Sequence, residues 1–229
     1  MKKVAVLQSN YIPWKGYFDI IHDVDEFIFY DEVQYTKNDW RNRNRISTPS
    51  GLQWITIPVN GSITQSIDEV RTAGNQWQKK HFNTLVTYYS KAPFFSDYRP
   101  FLEDFYLART WENLSELNHF LIMMISREFL GIRTIFTSSR DYASDGAGHE
   151  KLLSLLKSAG ADYYVSGPAA KSYIKAPDYE KAGIELHWKD YSRYPEYKQL
   201  NEPFSHNVTI LDLLFNTGPE ALSYIRIRE

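Results

Sequence analysis

The opening thirty residues constrain the fold of this chain more than any other stretch. An apolar, β-branched run at 3–7 is predicted to be a buried strand, followed by a loop punctuated by Asn10, Pro13 and Gly16. The segment 17–23 carries Phe18 and Ile21, with Val24 just beyond, at helical spacing. A second apolar run at 27–30 ends in Asp31. Strand, loop, helix and strand in that order make a unit whose two strands run parallel and are joined right-handedly.

The alternation returns near the other end. Strands are predicted at 133–138, 162–166 and 184–188, with helices at 150–157, closed by Gly160, and 208–215, stopped by Gly218. Between the two ends the pattern is helical. Residues 76–89 place Trp77, His81, Leu85 and Tyr88 on one stripe. A longer helix is predicted at 111–130, with Thr110 as its N-cap and Gly131 at its stop. Pro93 and Pro100 break the pattern between these helices, residues 34–45 are polar and loop-like, and 53–59 forms a further strand. The expected architecture is α/β, a parallel Rossmann-like sheet with a helical insertion at about 76–130. At 229 residues, the whole of 1–229 suits one domain.

Composition removes several function classes. With 26 basic against 28 acidic residues, the charge is too balanced for bulk binding of nucleic acid. The absence of cysteine excludes disulfides, thiolate metal sites and a cysteine nucleophile. The first apolar run stops at Gln8-Ser9-Asn10, short of an export signal, and no run approaches the roughly 18 apolar residues of a membrane span. The expected location is the cytoplasm. The six histidines form neither H-x-x-x-H nor H-E-x-x-H, so no metal site and no cofactor are expected. Aromatic residues reach 16% and suit platforms for sugars or bases.

In open parallel sheets ligands bind beyond the carboxyl ends of the strands. Three polar loops fall there, at 8–17, 31–45 and 166–173. The first holds Gln8, Asn10, Tyr11, Trp14, Gly16 and Tyr17, and Gly16 lets backbone approach a ligand at a helix start. Its Trp14-Lys15-Gly16-Tyr17 spacing is similar to the His-x-Gly-His signature of adenylyl-transferring enzymes, with aromatics replacing both histidines. The second holds Tyr35, Lys37, Trp40 and Asn44, with Arg41, Arg43 and Arg45 alternating so that an extended chain puts them on one face. That cluster beside Asp31 suits a diphosphate. The third holds Ser166, Gly167 and Tyr173. For proton transfer the candidates are Asp31, His149 at a helix start and His206 before the last helix.

Several of these stretches together resemble the WbqC-like family. They are Gln8 through Phe18, Asp31-Glu32-Val33-Gln34-Tyr35 and Trp40-Arg41-Asn42-Arg43-Asn44. Tyr164-Val165-Ser166-Gly167, Tyr173, Tyr197, Gln199 and Thr209 through Asn216 extend the resemblance over nearly the whole chain. Ser9 departs from the family's usual proline. The resemblance implies a setting in O-antigen and surface-polysaccharide biosynthesis, without fixing the reaction. Joined to the cationic loop and the aromatics, it makes the leading expectation an acyl- or aminoacyl-type transferase. Its partners would be a nucleotide-linked amino sugar and a small acyl or aminoacyl donor; self-association stays open. The alternatives are an adenylate-forming or nucleotidyltransferase-like enzyme and a non-catalytic sugar-nucleotide-binding module.

Overall fold

The computed structural model describes residues 1–225. The chain opens with β1 (Lys3–Leu7), α1 (Lys15–His22) and β2 (Glu26–Phe29), and β1 pairs β2 in parallel. A hairpin of β3 (Arg43–Thr48) and β4 (Gly51–Thr56) follows, then α2 (Gln76–Tyr89), α3 (Phe95–Glu103) and α4 (Leu114–Met124). The sheet resumes with β5 (Ile135–Ser138), α5 (Gly148–Ser158) and β6 (Tyr163–Ser166). It ends with α6 (Ala176–Lys181), β7 (Glu185–Trp188) and α7 (Ile210–Thr217).

The five parallel strands lie in the order β5-β2-β1-β6-β7. The strand order therefore reverses between β1 and β6, the switch point of a Rossmann-like sheet. Strand alternation sends neighbouring side chains to opposite faces. Val4 and Val6 of β1, Ile28 of β2 and Tyr164 of β6 pack with Leu152, Leu155 and Leu156 of α5. Ala5, Phe27, Phe29 and Val165 face the other way, into a larger core with Phe18 and Ile21 of α1 and the apolar stripes of α2, α4 and α7. Among the described residues no helix is long and apolar enough to cross a membrane.

Three local expectations need correction. The polar stretch 34–45 is not all loop, because β3 begins at Arg43. Alternation is present there, with Asn42, Asn44 and Ile46 buried and Arg43 and Arg45 half-buried. Two of the inward residues are asparagines, so the period was hidden from a hydrophobic reading. The helix expected at 111–130 starts at Leu114, capped by Asn113, whose side chain accepts from the Glu116 N–H at 3.0 Å. Residues before it are held extended by pairing with the chain at 70–72: Thr72 N–H donates to Glu112 O at 2.9 Å and Leu114 N–H to Val70 O at 2.9 Å. A π-helical turn over Ile125–Phe129 finishes that run. Pro100 lies inside α3 rather than between helices. The Ser96 carbonyl it leaves without an N–H donor belongs to an exposed residue, where water can replace the lost bond.

Candidate functional site

A cleft of about 780 Å³ opens at the switch point. Leu7, Gln8 and Asn10 reach it from the end of β1, Tyr30, Val33 and Gln34 from beyond β2, and Ser166, Gly167, Ala169 and Ala170 from beyond β6. The start of α5 supplies Gly146, Ala147, Gly148 and His149, with Lys151 and Leu152 one turn further. Arg41 and Tyr173 complete the rim. The three polar loops do converge, and Gln8, Asn10, Arg41, His149, Ser166, Gly167 and Tyr173 line one cavity.

Its cations come from two sides. The Arg41 side chain is only 12% exposed, and its nearest carboxylate, Asp39, lies at 3.6 Å. Its Nη1 donates to the Asn10 side-chain oxygen, to Ser9 O at 3.2 Å and to Gln8 O at 3.4 Å. Those contacts fix the guanidinium against the first loop, while its Nε is buried without a partner among the described residues. Lys151 pairs with Glu32 at 3.1 Å. Burial, and then the charge of Glu32, pushes the Tyr30 phenol up to about 12, which keeps it a hydrogen-bond donor.

His149 is the cleft's proton-transfer candidate. Its Nε2 lies 3.2 Å from Asp178 Oδ2, and the carboxylate orients the ring with Nε2 as the donor. That leaves Nδ1 as the basic nitrogen, which among the described residues accepts only from the Lys175 N–H, at a long 3.5 Å. Asp178 sits on α6, a six-residue helix with a proline near its start that hydropathy did not reveal. Lys151 was also missed, although a cation early in the helix after Gly146-Ala147-Gly148 could have signalled it.

Asp31 does not line the cleft. It is buried, and its carboxylate accepts from Ser9 N–H at 2.7 Å, Ser115 Oγ at 2.7 Å and His119 Nε2 at 2.9 Å. Burial alone would raise its pKa, but the His119 hydrogen bond and charge, with Ser9, hold it below the ordinary carboxylate value. The residue thus ties the first loop to α4. His206 is set elsewhere, against Phe204 and Tyr194 near Lys15.

The aromatics of the first loop are mostly interior. Tyr11 Oη lies 2.5 Å from Tyr106 Oη and 2.9 Å from His81 Nδ1, and Tyr17 Oη donates to Gln8 O at 3.0 Å. Tyr35 is buried as well, and Lys37 is exposed. A Cβ on Gly16 would fall 2.3 Å from the Trp14 ring, so the glycine makes room for that indole. Lys15 is buried, donating to Pro195 O at 3.0 Å. Neither Lys15 nor Gly16 lines the cleft. Ile12 holds φ at 42°, a left-handed conformation that strains a β-branched residue. Asn44 pins it, donating to Ile12 O at 2.7 Å and Tyr11 O at 3.1 Å.

Arg43 and Arg45 share one face of β3, over Trp54, but only Arg41 lines the cleft. Arg43 lies 4.2 Å from the Trp54 ring centre and donates to the Asn38 carbonyl. Arg45 stacks over Trp40 and Trp54 and lines a smaller hollow with Asn10, Trp14, Trp40 and Asn44.

Residues 8–224 match the WbqC-like protein family. The chain is also 49% identical to "Uncharacterized protein Rv1507c" of Mycobacterium tuberculosis over 228 residues, covering 99% of this chain and 98% of that protein. No solved structure matches it.

Proposed function

The chain belongs to the WbqC-like protein family, and from that premise and the chemistry of the cleft we propose a cytoplasmic acyl- or aminoacyl-type transferase of surface-polysaccharide (O-antigen) assembly. Its acceptor is a nucleotide-linked amino sugar held in the cleft. The observation that carries this reading is His149, oriented by Asp178, in the wall of a cleft that also presents Arg41 and Lys151. A diphosphate suits that pair of cations and the N–H groups at the start of α5. Tyr30 and Tyr173 offer flat faces and hydroxyls for the base or sugar.

In this mechanism the sugar amine attacks the carbonyl carbon of the activated donor. The new C–N bond forms as the donor's leaving group departs with the former bond's electron pair. Nδ1 of His149 takes the proton released from the nitrogen, and Asp178 stabilises the imidazolium. Incubation with nucleotide-linked amino sugars and acyl donors, read by product mass, tests the reading. His149→Ala should cut turnover about 10²–10⁴-fold with nucleotide-sugar affinity nearly unchanged. Tight binding with no mass change across a broad donor panel would instead make the protein a sugar-nucleotide-binding module.

A further inference from the structure

The hollow beside the cleft has a chemistry of its own. Its volume is about 170 Å³, and Asn10 lines both cavities. Trp14, Trp40, Arg45 and Asn207 are among its lining residues. The guanidinium carbon of Arg45 lies 5.4 Å from the Trp40 ring centre and 5.3 Å from that of Trp54. Aromatic faces therefore hold the charge in place without neutralising it.

Among the described residues no hydrogen bond or ion pair reaches the Arg45 guanidinium, and its Nε is buried without a partner. Its neighbours differ: Arg41 is engaged by Asn10 and Asp39, and Arg43 by the Asn38 carbonyl. Asn10 gives its side-chain oxygen to Arg41, which leaves its amide N–H groups as donors. A half-buried guanidinium set over two indole rings, with no counter-charge among the described residues, calls for an anion. A planar fork suits the two oxygens of a carboxylate, and indole walls suit a compact organic body behind it. One unpaired cation is less than a phosphate dianion requires.

We propose that this hollow is a second ligand site for a small carboxylate-bearing molecule, either an acidic sugar or an amino acid. Arg45 receives the carboxylate, Trp14 and Trp40 pack the body, and Asn10 joins the ligand to whatever occupies the cleft. The proposal stands on the hollow's own residues and does not need the transferase reading.

Calorimetric titration of the full chain with matched pairs tests it: D-glucuronate against D-glucose, and L-alanine against L-alaninamide. The carboxylate member of one pair should bind at least about tenfold more tightly, and the responding pair identifies the source. Arg45→Met should erase that preference and Arg45→Lys keep part of it, with thermal unfolding checking that each variant is folded. Lys151→Ala, in the cleft, should leave it unchanged. The proposal is overturned if neither pair shows a preference, if the preference survives Arg45→Met, or if Lys151→Ala abolishes it. Inorganic phosphate that binds as tightly as the better carboxylate and loses that binding in Arg45→Met would also overturn it, because phosphate held in the cleft does not depend on Arg45.

Discussion

Replacing Asp31 with asparagine keeps the side chain's shape and removes its charge, which makes it the sharpest probe of how the first loop is held. The carboxylate accepts from a backbone N–H at 2.7 Å, a hydroxyl at 2.7 Å and an imidazole at 2.9 Å. Asparagine can present its oxygen to Ser9 but then turns its own N–H₂ toward Ser115 and His119. The serine hydroxyl can rotate to accept, so one charge-assisted bond is lost outright and the others are weakened. A hydrogen bond to a charged group contributes about 1.5–3 kcal/mol, so Asp31→Asn should cost about 3 kcal/mol in urea unfolding near pH 7.

The pH dependence carries the second half of that prediction. A carboxylate whose folded pKa lies below its unfolded value of about 3.9 stabilises the fold fully above that value. The contribution is lost as pH falls through the lowered folded pKa. The gap between wild type and Asp31→Asn should therefore be constant from pH 7 to about 5 and narrow below pH 4. A difference under about 0.5 kcal/mol at pH 7, or a gap that widens in acid, would refute the anchoring role.

Asn44→Ala leaves two buried carbonyls, of Tyr11 and the strained Ile12, without their donor, and should lower stability by about 2–4 kcal/mol in the same assay. Gly16→Ala drives a methyl group into the Trp14 ring and should lower the melting temperature, with Trp14→Ala in the same chain recovering part of the specific Gly16→Ala loss. Burial, only partly offset by a backbone hydrogen bond to Thr56, pulls the pKa of His81 down to about 4. Stability should thus decline by about 3 kcal/mol as pH falls from 6.5 to 4, and His81→Gln should flatten that part of the pH profile.

The parallel sheet was legible because its signals are local. Strands such as Lys3–Leu7 and Tyr163–Ser166 are short apolar runs, and the helices between them carry a stripe and a glycine stop. From those alone follow the Rossmann-like architecture and the end of the sheet at which the cleft opens. The WbqC-like membership was equally open to a reading of the linear chain, since it rests on contiguous motifs.

Which motif residues line the cleft was decided only by tertiary contacts. Gln8, Asn10, Tyr11, Trp14 and Tyr17 are close neighbours in sequence, yet the first two line the cleft while Tyr11 and Tyr17, the latter in α1, are interior. The left-handed turn at Ile12, pinned from β3 by Asn44, redirects the loop between them, and no local period encodes that bond. Arg41 and Arg45 were indistinguishable as charges in sequence, but Arg41 is drawn to the first loop while the hairpin register sets Arg45 opposite Trp54. Asp178 and His119 likewise gain their partners across 29 and 88 residues. Composition and periodicity determine which face of an element is buried, but the direction of each polar side chain depends on partners that only folding brings within reach.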